Sequence, residues 1–207
     1  MPVIAVLNPK GGVGKTTLAT NVAGWYASRG IPVMLGDVDR QASAKSWLDL
    51  RPTAAAPIRH WEIAGSIARP PKGTTHVVLD TPAQLEGRKL AEVLRVADTV
   101  LVPLQPSMFD ILATERFLRD LRGSMRGRRY EDSVAVVGMR VDARTRSAEQ
   151  LSRFVTGLGL PVAGYLRDTQ NYVQLAAHGL SVFDVPASRV AQDRATWEPL
   201  LARLDAH

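Results

Sequence analysis

Lys10-Gly11-Gly12-Val13-Gly14-Lys15-Thr16-Thr17 stands directly after the apolar run Val3-Ile4-Ala5-Val6-Leu7. A buried strand that empties into a glycine-rich turn and then a helix is built to cradle phosphate. The glycines let backbone N–H groups turn inward, and the helix presents its positive end to the anion. In such a loop Lys15 reaches the β- and γ-phosphates and the Thr16 hydroxyl ligates Mg²⁺, while the backbone from Gly11 to Thr17 surrounds the anion. The common phosphate-loop pattern carries glycine where this chain has Pro9. A second lysine, Lys10, opens the loop instead.

Outward from the loop, strands and helices alternate. A helix is expected from Lys15 to about Arg29, closed by Gly30. Pro32-Val33-Met34-Leu35-Gly36 reads as a short buried strand that delivers Asp37-Val38-Asp39 to its C-terminal edge, where open α/β sheets bind ligands. Period-2 alternation aims the two aspartates the same way. His76-Val77-Val78-Leu79-Asp80 is an apolar strand ending in an acid, followed by Thr81-Pro82. Thr99-Val100-Leu101-Val102-Pro103 and Ser133-Val134-Ala135-Val136-Val137-Gly138 are further core strands. Helices are expected from about Asp110 to Arg122, up to about Thr156, and from Val190 to Leu204, with a short strand near Pro161 to Ala163. The pattern predicts one α/β domain over residues 1–207: three layers, a mainly parallel twisted sheet with helices on both faces. Residues 51–73, with four prolines, predict a variable connection holding a short helix around Glu62 to Ala68, and no chemistry is assigned to it.

Composition excludes several classes. The chain has no cysteine, hence no disulfide, cysteine–zinc site or iron–sulfur cluster. Its 45% hydrophobic and 22% charged residues are those of an ordinary globule. No apolar run approaches the ~20 residues of a membrane span. The first strand starts at once, so neither a signal peptide nor an appended DNA-reading domain is expected, and the absence of cysteine suits a reducing cytoplasm. Net charge is +6, and 21 of the 26 basic residues are arginine, which permits a polyanion partner.

The doubled-lysine loop resembles that of the deviant phosphate-loop ATPases, the group of ParA, MinD and the nitrogenase iron protein. The resemblance is nearest to the compact, ParF-like ParA partition ATPases and runs from the first strand to Ser181-Val182-Phe183. It implies ATP and Mg²⁺ as cofactors. Lys10 would reach across a nucleotide-sandwich homodimer to the partner's phosphates, acting as an arginine finger does; otherwise it is a solvated loop lysine. Asp39 would orient the attacking water, with Asp37 supporting the Mg²⁺ site; in the ParA group this segment commonly reads Asp-x-Asp-Pro-Gln, and Arg40 replaces the proline. Asp80 would hold Mg²⁺ through a coordinated water, as in a Walker B segment. Pro103-x-x-Pro106-Ser107 also resembles partition ATPases, where it lies beside the nucleotide and dimer face. In relatives the strand ends at 164–168 and 179–183 wall the adenine pocket, which implies base or ribose contacts from Arg140, Arg167 and Asp168.

The function implied is an ATPase that dimerises on ATP, binds nucleoid DNA without sequence preference, and positions a cargo until a ParB-like partner stimulates hydrolysis. Arg144, Arg146 and Arg153 after one strand, and Arg189 and Arg194 at the last helix, are the expected DNA contacts. A further six arginines between Arg116 and Arg129 face only Asp120 within that stretch; a DNA face and a solvated helix face both fit them. A MinD-type membrane ATPase and a small-molecule phosphotransferase are the alternatives. The end Leu200-Leu201-Ala202-Arg203-Leu204-Asp205-Ala206-His207 makes a poor lipid anchor, and no Asn-Lys-x-Asp run for guanine occurs.

Overall fold

The computed structural model describes residues 2–39, 41–63, 75–125, 130–142 and 144–206. A seven-stranded sheet in the order β3-β2-β4-β1-β5-β6-β7 is parallel at every pairing. The strands are β1 Val3–Val6, β2 Val33–Asp37, β3 Arg59–Trp61, β4 His76–Asp80, β5 Thr99–Leu104, β6 Val134–Met139 and β7 Val162–Leu166. Between and after them come α1 Lys15–Ser28, α2 Ser43–Asp49, α3 Gly87–Val96, α4 Met108–Ser124, α5 Tyr130–Ser133, α6 Arg146–Gly157, α7 Gln170–Ala176 and α8 Ala191–Asp205.

Alternation along β1 divides the core. Val3, Ala5 and Leu7 point into one apolar layer with Val93, Leu118, Leu121 and Leu151 of α3, α4 and α6. Ile4 and Val6 point into the other with Leu18 and Val22 of α1 and Trp197 and Leu200 of α8. Both faces of the sheet are therefore covered, as an all-parallel sheet requires. From β1 the chain turns to β2 on one side, and later crosses from β4 to β5 on the other. The C-terminal ends of β1, β4 and β5 thus frame the crevice at the topological switch point.

Three expectations change. α4 begins at Met108, two residues before the expected Asp110, because its first turn exposes Met108 and Phe109 and so breaks the apolar period. Arg59–Trp61, inside the stretch predicted to be an irregular connection, is the edge strand β3; three residues pairing with Met34–Gly36 are too short to show a pattern. Residues 170–176 are helix α7, and Ser181–Phe183 form turns rather than a strand end. The helix expected around Glu62 to Ala68 falls mostly outside the described residues, and Glu62 and Ile63 are not helical.

Candidate functional site: the phosphate loop and its surroundings

The loop turns through two left-handed glycines, Gly12 at φ +72° and Gly14 at φ +96°. At Gly14 the left-handed backbone is what favours glycine; a Cβ there would also meet the tip of the Met139 side chain, Cε at 2.7 Å, and push it aside. Lys15 opens α1 and is buried; its Nζ donates to Lys10 O at 2.7 Å. Burial pushes its pKa down, while Asp80 and Asp39 pull it back up. Thr16 Oγ1 donates to Asp80 Oδ2 at 2.6 Å.

Asp80 is only 1% exposed, and its Oδ1 is buried with no hydrogen-bond partner among the described residues. Its pKa is pushed up to about 7, chiefly by desolvation and in part by the nearby Asp37 and Asp39 carboxylates, against the opposing pull of the Thr16 bond and Lys15. An orphaned, buried carboxylate oxygen beside a threonine hydroxyl is a hard-oxygen donor pair, and Mg²⁺, which binds through one or two carboxylates plus substrate phosphates, fits it. Thr16 and Asp80 are the residues that would hold it.

Asp37 pairs in register with Asp80 across β2 and β4. Its Oδ1 accepts from Asp39 N at 2.8 Å, and its Oδ2 from Ala44 N at 2.9 Å and Lys45 N at 3.3 Å. It closes the turn that carries Asp39 and starts α2, which has Ala42 in the left-handed region before it. Asp39 Oδ1 accepts from Gln41 N at 3.0 Å.

Lys10 extends toward its own chain's α4, where its Nζ lies 3.3 Å from Asp110 Oδ1. Sequence reasoning missed the supports around it. Asn8 Oδ1 accepts from Lys10 N at 2.8 Å, and Gln105 Nε2 donates to Gly12 O at 3.1 Å. The one local signal was a polar residue, Asn8, ending an apolar run. The Pro-x-x-Pro-Ser segment therefore does touch the loop, through Gln105.

Of the three expected base or ribose contacts, two meet just beyond the C-terminal ends of β6 and β7. Arg140, left-handed at φ +53° after β6, has its Nε 3.9 Å from Asp168 Oδ1, both side chains being exposed. Arg167 turns to α8 instead: its Nη1 donates to Gln192 Oε1 at 2.7 Å and lies 3.4 Å from the buried Asp193. Arg194, another of the expected DNA contacts, turns to its own chain. Its guanidinium donates to Val182 O, Phe183 O and Val185 O at 2.8–3.0 Å and stacks on Phe183, so its donors brace that loop. Arg144, Arg146, Arg153 and Arg189 are exposed; Arg144 pairs with Asp142 and Arg153 with Glu149. In the 116–129 stretch, Arg119 pairs with Glu115 and Arg122 with Glu131, acids lying just outside the stretch, while Arg126, Arg128 and Arg129 are outside the described residues. A separate groove of about 770 Å³ runs between α3 and α4, lined by Leu85, Leu90, Leu94 and Phe117, with Pro9 at one end.

The chain that carries this loop and its two supporting strand ends matches the CobQ/CobB/MinD/ParA nucleotide-binding domain model over residues 4–182. It belongs to that family. Among relatives of this CobQ/CobB/MinD/ParA chain, the maintenance of carboxysome distribution protein A of Gloeobacter kilaueensis is 32% identical over 211 residues, covering 98% of this chain and 94% of the relative. The protein of the same description from Halothiobacillus neapolitanus is 28% identical, covering 89% and 88%. In fold the chain is similar to the MinC:MinD cell division complex of Aquifex aeolicus (TM-score 0.76, 17% identity, 100% of this chain and 96% of that one). It is also similar to the ATP complex of a Cyanothece McdA variant (TM-score 0.71, 15% identity, 100% and 96%).

Proposed function

We propose that this chain is a Mg²⁺-dependent ATPase of the ParA type that forms an ATP-sandwich dimer, binds nucleoid DNA without sequence preference and positions a cargo until a partner protein stimulates hydrolysis. The observation that carries the reading is the Thr16–Asp80 hydrogen bond beside the orphaned Asp80 oxygen, set at the mouth of a doubled-lysine loop.

In hydrolysis, water attacks the γ-phosphorus and the bond to the β-phosphate oxygen breaks, giving ADP and phosphate. The loop amides and Lys15 bind the phosphates, Lys15 exchanging its bond to Lys10 O for phosphate oxygens. Mg²⁺, when bound, neutralises charge on the β- and γ-oxygens. Asp39, on the turn braced by Asp37, orients the water and takes up its proton. Lys10 serves the second copy. Its tie to Asp110 is a half-exposed ion pair worth at most about 1 kcal/mol, so an incoming phosphate can replace it. The exposed turn Met108, Phe109 and Leu112 beside that pair offers an apolar seat for a second copy. Arg140 and Asp168 stand ready at the base or ribose.

The relatives named for carboxysome distribution support a protein body as cargo; a small ParB-like partner and a place in the cytoplasm at the nucleoid are part of the same proposal. The membrane alternative is weakened by α8, whose Trp197, Leu200 and Leu204 are buried in the core and offer no apolar face to lipid. Among the described residues no helix is long and apolar enough to cross a membrane. The test is a mobility shift on random-sequence DNA at low salt. A complex is expected with Mg²⁺ and ATP and none without nucleotide; no shift in either condition contradicts the reading.

A further inference from the structure

Asn8 is a buried side chain at the end of β1 that touches the phosphate loop and α4 at once. Its Nδ2 donates to Pro103 O at 2.7 Å and to Thr114 Oγ1 at 3.2 Å. Its Oδ1 accepts from Lys10 N at 2.8 Å. The other end of the same residue is also held, because Lys10 O accepts from Lys15 Nζ at 2.7 Å. One helical turn before Thr114, Asp110 carries the Lys10 ammonium. Lys10 is thus fixed at its N–H through Asn8, at its carbonyl through Lys15, and at its tip through α4.

A carboxamide in a core is costly unless its donors and acceptor are used, and here both hydrogens and the oxygen are engaged. An apolar residue of the same size would leave the Lys10 N–H, Pro103 O and Thr114 Oγ1 without these bonds and loosen the Lys10 peptide from α4. We infer that Asn8 is a positioning residue for Lys10: it bolts the start of the phosphate loop to the first turns of α4, so that the lysine is presented from a fixed peptide. Asn8 touches no substrate and acts only through Lys10. The inference rests on the ATPase reading above and deepens it.

A role exercised through Lys10 has a signature that a merely structural role lacks. Once the lysine side chain is gone, its aim no longer matters, so the two losses should not multiply. The measurement is kcat/KM for Mg-ATP in wild type, Asn8→Ala, Lys10→Ala and the double variant, with thermal midpoints for each. The expected result is a loss of about tenfold or more in each single variant, and a double variant within about threefold of the weaker single. Should Asn8→Ala fail to fold, Thr114→Val replaces it, since the Pro103 and Lys10 bonds of Asn8 survive; a loss of a few fold, absent in the Lys10→Ala background, is then expected. Losses that multiply in either pair overturn the inference, as does a Lys10→Ala chain that turns over like wild type. A wild-type chain that does not hydrolyse Mg-ATP overturns the ATPase reading itself.

Discussion

Thr16 Oγ1 donates to Asp80 Oδ2 across 2.6 Å, tying the first turn of α1 to the end of β4 and leaving Asp80 Oδ1 buried and unpaired. Folding thus holds a carboxylate where its charge is poorly tolerated. The Asp80 pKa rises from 3.8 to about 7, chiefly by desolvation, so the folded chain binds that proton more tightly than the unfolded one. The Asp80 contribution to stability without nucleotide or metal is then fully present at low pH and is lost as pH rises from 3.8 toward about 7. Asp80→Asn should remove this fall, hold or raise the thermal midpoint at pH 8, and abolish Mg-dependent turnover. Melting curves from pH 5 to 8 check it; a wild-type midpoint that climbs across that range contradicts the assignment.

Lys10, held by Asp110 within its own chain, is expected to matter chiefly between chains. Lys10→Ala should bind a non-hydrolysable ATP analogue within a few fold of wild type yet remain monomeric. Light scattering with the analogue is the measurement, and a stable dimer makes Lys10 an ordinary loop lysine.

Asp39 sits on a turn held chiefly by Asp37, which accepts from Asp39 N, Ala44 N and Lys45 N, so removing the Asp39 carboxylate costs the turn only the exposed bond from Gln41 N. Asp39→Ala should bind ATP and dimerise but hydrolyse it at least ~100-fold more slowly, the scale of a lost general base. Unchanged steady-state phosphate release argues against the role.

Two arginines five residues apart should behave oppositely. Arg194 gives its donors to three carbonyls, and Arg194→Ala should lower stability by ~2 kcal/mol or more. Arg189 is exposed, and Arg189→Ala should leave the melting midpoint alone while flattening the log K against log[salt] slope for DNA by ~1 for each phosphate no longer neutralised. Equal effects of the two substitutions on DNA binding would place Arg194 back on the DNA face.

What could be read from the sequence was what is local. The phosphate loop, the Asp80 strand end and the alternation of strands and helices are each set by residues within one element, and the structure has them where the pattern put them. What could not be read depends on partners far away in the chain. Arg51 forms a buried double hydrogen bond to Asp184, 133 residues on, and nothing near Arg51 distinguishes it from a solvated arginine. Arg194 reads as a basic residue opening a helix until the carbonyls it caps are seen. Asn8 reads as a loop residue until Thr114 of α4 is seen beside it. The edge strand β3 is formed by pairing with β2 rather than by its own three residues.

Titration calorimetry of the purified protein with ATP and Mg²⁺ measures binding of Mg-ATP by the doubled-lysine loop. Saturable one-to-one binding is predicted for the wild-type chain, and a fall of about 100-fold or more in affinity for Lys15→Ala, because the buried ammonium that meets the phosphates is gone. Near-normal ATP affinity in Lys15→Ala, or no binding by the wild-type chain, would contradict it.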